Sequence, residues 1–151
     1  QLSNISKIEK YSFGEKSTLL SDIKDSRPVF AFDYLSLNSS NLCFNSKLLN
    51  GVKEYQRIFE SLKTLSSKNY DELSKNRTFH FHEVDFDDTT ISESEFVKCL
   101  TPNSAKTKSD NIPTVYQFKI FDKARIFGFI YKSVFYLVFL IETTKVMKEN
   151  N

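Results

Sequence analysis

Two different hydrophobic periods divide this chain. Residues 134–141 read Val-Phe-Tyr-Leu-Val-Phe-Leu-Ile, an unbroken apolar run rich in β-branched and aromatic side chains. A strand without a polar face needs cover on both sides, which places it inside a sheet and under helices. Residues 114–121 and 124–131 read as two preceding strands, joined by tight connections at Asp122-Lys123 and Lys132-Ser133. Both are two-residue hairpin loops that lack the glycine a primed turn prefers. The period changes upstream. Val52, Tyr55, Ile58, Phe59, Leu62 and Leu65 recur at spacings of three and four, with Lys53, Glu54, Arg57, Glu60 and Lys63 on the other side. That pattern predicts an amphipathic helix.

Shorter elements fill the remainder. Pro28 opens a strand over 29–35, a polar turn follows at 38–41, and 42–44 reads as a short return strand. A short helix over 70–75 has Asn69 as its N-cap and Glu72 three residues on, the capping-box arrangement. Residues 78–86 alternate like a half-buried strand. Residues 91–100 predict a helical turn with Phe96, Val97 and Leu100 inward, and 142–148 a closing helix. The Ser/Lys/Asn-rich stretch 101–111 reads as a mobile loop. Gly128, between Phe127 and Phe129, marks a bulge or a close backbone approach. Residues 1–27 form an N-terminal arm or peripheral helix, and 28–151 one α+β domain. Its expected sheet is small and antiparallel, the C-terminal three-strand meander plus the N-terminal strand, packed on one long and one short helix.

Composition narrows the class. In 151 residues, 40% are hydrophobic and 15 are Phe, against 3 Gly and 3 Pro. That excludes a disordered or low-complexity chain. The formal charge of +2 neither requires nor excludes nucleic acid, because recognition depends on how charge is distributed. Residues 82–95 are acidic, whereas 119–132 hold Lys119, Lys123, Arg125 and Lys132 against Asp122, so a dipolar surface is expected. Cys43 and Cys99 lack a CxxC spacing, and a reduced pair needs fewer assumptions than a disulfide. No apolar run approaches the roughly 20 residues that cross a bilayer. Residues 1–10 lack the apolar centre of a signal peptide. A cytoplasmic protein with no membrane partner is the expectation.

Two groups of residues carry candidate chemistry. Lys119, Arg125 and Lys132, with Tyr116 and Tyr131, fall on neighbouring strands of the meander. Arginine suits a phosphate because its fork donates two hydrogen bonds, and tyrosine can stack a base or donate a proton. An ordinary solvated sheet face has the same composition. The second group is His80-Phe81-His82, followed by Asp85, Asp87 and Asp88. Two histidines one residue apart in a strand point the same way and can bind a metal, but zinc sites need three or four convergent ligands. A strand running into an acidic turn explains the same residues without a metal, and either histidine can serve in acid–base chemistry alone.

The chain also resembles the RelE/YoeB-like toxin superfamily of small bacterial and phage proteins. The matching pieces are Pro28-Val-Phe-Ala-Phe-Asp-Tyr-Leu, the helix end Leu62-Lys-Thr-Leu-Ser66, His80-Phe-His82-Glu-Val-Asp-Phe-Asp-Asp-Thr-Thr90, Tyr116-Gln-Phe, Ala124-Arg-Ile-Phe-Gly-Phe-Ile130 and Val134-Phe-Tyr136. They span about three-quarters of the chain and are mostly hydrophobic framework. The resemblance implies a RelE-like fold and an mRNA endonuclease of a toxin–antitoxin system, acting by metal-independent 2′-hydroxyl attack and held inactive by an antitoxin. It implies Arg125 at the scissile phosphate, with His82 or Lys119 assisting, and no cofactor. Nucleic-acid contacts then fall to Lys119, Lys123, Arg125, Tyr131 and Lys132, with RNA or the ribosome as partner. The family pattern sets a His and a Tyr after the last strand, where this chain reads Glu142-Thr143-Thr144-Lys145-Val146-Met147. Loss of those groups leaves a second class open, a non-catalytic phage or mobile-element protein that binds and inhibits a host defence complex.

Overall fold

A computed structural model of the protein describes residues 18–36, 51–89, 91–100, 113–121 and 123–142. The strands are β1 (Val29–Ala31), β2 (His82–Glu83), β3 (Val115–Phe121), β4 (Ala124–Tyr131) and β5 (Val134–Glu142), and the α-helices are α1 (Val52–Ser66), α2 (Tyr70–Lys75) and α3 (Glu93–Leu100). The strands form one five-stranded sheet in the order β1-β5-β4-β3-β2. The α+β class holds.

β5 lies inside the sheet and is buried on both faces, as its missing polar face demands. Phe135, Leu137 and Leu140 join Ile58, Leu62 and Leu65 of α1 and Tyr70 and Leu73 of α2 in one core. Val134, Tyr136, Val138, Phe139 and Ile141 join Phe96 and Leu100 of α3 in a second core on the opposite face.

Four expectations are corrected. The sheet is mixed, because β1 pairs parallel to β5 with Phe30 opposite Phe135. β4 occupies one edge of β5, and only the other edge is open to β1. The direction of that pairing depends on where the chain returns from, which the residues of β1 do not encode. The sheet's helical cover includes α3, so it rests on more than one long and one short helix. The strand expected over 78–86 shrinks to β2 between short 3₁₀ turns, Arg77–Phe79 and Phe86–Asp88. The first strand likewise stops at Ala31.

Local chemistry explains several joints. Asn69 and Glu72 close a reciprocal capping box at α2. The carbonyls of Ser26 and Lys24 accept from the first two amides of that helix, at 2.9 Å each. Residues 18–26 therefore lie against the domain, where Thr18 also donates to Ile130 at 3.1 Å. In the β4–β5 turn Lys132 and Ser133 both take positive φ, 49° and 67°. The Ser133 carbonyl accepts from the buried Tyr70 hydroxyl at 2.8 Å. Gly128 sits where the β4–β5 register shifts, with Phe127 opposite Phe139 and Gly128 opposite Leu137. On α1 the buried stripe is narrower than the apolar one, since Val52, Tyr55 and Phe59 are exposed. The turn and return strand over 38–44, the loop over 101–111, the closing helix beyond residue 142 and the state of Cys43 lie outside the described residues.

Candidate functional site

Polar side chains break the apolar lining of the α3-side sheet face at one corner. β3 is apolar except for Gln117 and Lys119, which alternation puts on the same face. Lys119 stands directly opposite Arg125 of β4, and Gln117 opposite His82 of β2. The first juxtaposition depends on a bulge. A regular ladder closed by Phe121 and Ala124 would set Arg125 against Ile120 and leave Lys119 on the other face. The register shift between Lys119 and Phe121 brings the two cations to one side.

His82 is held at both ring nitrogens. The Gln117 amide nitrogen lies 2.9 Å from its Nε2, and an amide N–H only donates, so Nε2 accepts. The proton then belongs on Nδ1, which lies 2.9 Å from the Glu83 carbonyl oxygen, an acceptor. Both contacts fit one neutral tautomer. His80 is not on the extended path that would aim both histidines alike. It closes the Arg77–Phe79 turn in the left-handed region, φ 48° and ψ 37°. Its imidazole is exposed. Partial desolvation, then the positive charges of Arg125 and Lys119, hold its pKa below the ordinary histidine value.

The cations differ in exposure. Lys119 is half-buried, whereas Arg125 is only 9% exposed and its Nη1 donates to the Ala124 carbonyl at 3.1 Å. Burial lowers the Arg125 pKa, but a guanidinium starts so high that it stays charged. Beside this corner a cleft of about 320 Å³ opens between α1 and the Arg77–Phe79 turn, with Lys119, Phe79, Thr78, Ser61 and Glu60 in its wall. Past β2 the charge reverses, and a hollow of about 510 Å³ is lined by Glu83, Asp85, Asp87 and Glu93.

The expected cationic set divides in two. Lys119, Lys123 and Arg125 sit at the β3–β4 hairpin end with His82, and Lys123 is exposed. Tyr131 and Lys132 sit at the far end of β4, roughly 20 Å away by strand rise. There Tyr131 is buried in the α3-side core, Lys132 Nζ lies 5.3 Å from its ring centroid, and the Lys132 amide donates to Thr18 Oγ1 at 2.6 Å. Tyr116 faces the α1-side core, stacked on Phe81 at 5.4 Å. One short ligand cannot span both ends.

Gln117 and His80 belong to the corner and were not singled out as members of it from sequence. Gln117 had a usable signal, since Gln117 and Lys119 at i and i+2 mark a polar patch on one face of an apolar strand. The displacement of His80 had none. Among the described residues no three His, Cys, Asp or Glu side chains converge as a metal-binding set. No described helix is long and apolar enough to cross a membrane. Comparison with protein-family models, curated proteins and solved structures found no match.

Proposed function

We propose that this chain is a toxin-like RNA-binding protein that cleaves single-stranded RNA without a metal. The observation that carries this reading is the bulge-dependent pairing of Lys119 with Arg125, beside two histidines and a cleft that holds Phe79. Two adjacent cations neutralise a phosphodiester, and Phe79, in the cleft that Lys119 also lines, offers a stacking surface for a base. The 2′-oxygen bonds to phosphorus as its proton passes to an imidazole. The bond from phosphorus to the 5′-oxygen breaks, and that oxygen takes a proton from water. The products are a 2′,3′-cyclic phosphate and a 5′-hydroxyl. The element order, strand, long helix, short helix, strand and meander, supports the RelE/YoeB-like resemblance, and with it an antitoxin as partner.

The test is a 5′-labelled single-stranded RNA incubated in EDTA, alone and on ribosomes. Expected are binding that weakens steeply with salt, cyclic-phosphate products, and loss of both in Lys119→Ala and Arg125→Gln. Absence of RNA binding, or of cleavage, in both settings refutes the proposal.

A second reading has its own support. Both nitrogens of His82 are engaged and Arg125 is largely buried, an arrangement that suits a scaffold without the reaction. A non-catalytic inhibitor of a host defence complex would bind its partner stoichiometrically, with no RNA cleavage and no sensitivity to Arg125→Ala.

A further inference from the structure

With Gln117 at Nε2 and the Glu83 carbonyl at Nδ1, His82 has no nitrogen to spare. Taking a proton at Nε2 would break the contact with Gln117, and Nδ1 already carries its proton toward Glu83. His80 lies two residues earlier, exposed, and closes the turn whose Thr78 and Phe79 line the cleft together with Lys119. Its backbone is in the left-handed region, which costs a non-glycine residue about 1–2 kcal/mol. A glycine would close the Arg77–Phe79 turn with less strain. Side chains kept in such conformations cluster at sites where the side chain is needed.

We infer that His80 accepts the 2′-hydroxyl proton, and that the His82–Gln117 pair is a positioning unit that locks β2 behind it. This rests on the RNA-cleavage reading above. Partial desolvation, then the Arg125 and Lys119 charges, favour the unprotonated imidazole, the form a general base needs. The proton passes to an imidazole nitrogen of His80 as the oxygen–phosphorus bond forms, and water protonates the departing 5′-oxygen.

The experiment compares RNA cleavage from pH 5 to 8 for the full chain, His80→Gly, His80→Gln and His82→Gln. Loss of a general base removes about 10²–10⁴ in rate. His80→Gly should fall by at least 100-fold and lose the acid limb of the pH profile. It should also melt no lower than the parent, because glycine suits the turn, and added imidazole should restore part of its rate. His82→Gln should fall by less than tenfold and keep the acid limb. Cleavage by His80→Gly within threefold of the parent overturns the inference and leaves the RNA reading standing. So does an acid limb that disappears only in His82→Gln. A parent chain that cleaves no RNA sinks both.

Discussion

Replacing Gly128 with alanine tests how closely β4 and β5 approach at the centre of the sheet. An ideal Cβ there lies 2.2 Å from the Tyr136 carbonyl oxygen and 2.5 Å from Phe135 Cε1. Ordinary carbon–oxygen contact begins near roughly 3.3 Å, so the methyl group arrives about 1 Å too close. Neither neighbour yields easily. Tyr136 offers a backbone atom, and the Phe135 ring is wedged against Phe118 and Phe30 at centroid distances of 5.0 and 5.9 Å. Overpacking a core costs about 1–3 kcal/mol when side chains can shift, and a backbone clash belongs at the upper end or beyond. Lower entropy of the unfolded alanine chain returns about 0.4–1 kcal/mol. A net loss of about 3 kcal/mol corresponds to a fall in Tm of about 6–12 °C for a chain of this size. Circular-dichroism melts and urea titrations measure it. Gly51→Ala is the control, since its Cβ meets only Glu54 Oε2 at an ordinary 3.5 Å. It should cost no more than the weaker N-cap does, about 1 kcal/mol. A Gly128→Ala protein melting within about 2 °C of the parent would refute the close-approach argument.

Three further substitutions probe the β4–β5 turn and the His80 turn. Ser133→Gly relieves a φ of 67° and should raise stability by about 0.5–1 kcal/mol in urea unfolding, after the extra freedom of glycine in the unfolded chain is counted. Tyr70→Phe removes the 2.8 Å hydrogen bond to Ser133, whose carbonyl keeps the Val29 amide at 3.5 Å. The expected cost is about 1 kcal/mol by the same measurement. His80 has a lowered pKa in the fold, so as pH falls the unfolded chain takes up its proton first. Its contribution is complete above the ordinary histidine value and is lost as pH drops through the folded one. The urea midpoint should thus fall less between pH 7.5 and 5.5 in His80→Gln than in the parent.

Much of the fold was legible because it rests on local period or local chemistry. The spacing of Ile58, Leu62 and Leu65 yields α1, the Asn69–Glu72 box starts α2, and Phe96, Val97 and Leu100 turn inward from α3. Gly128 betrayed a close approach by its place among large side chains. The candidate site was legible only as a set of residue types. Register sets Lys119 opposite Arg125 and His82 opposite Gln117, but Tyr131 and Lys132 lie at the other end of β4, because strand length separates what sequence proximity suggested.

From residues alone came the doubly buried β5, the helices that cover it and the α+β class, since each follows from how apolar side chains repeat along one element. Tertiary structure decided the rest: the parallel partner of β5, the left-handed turn that moves His80 off the strand, and the β3 bulge that puts Lys119 and Arg125 on one face. Those features depend on register and direction between segments far apart in the chain, and no single segment carries that information.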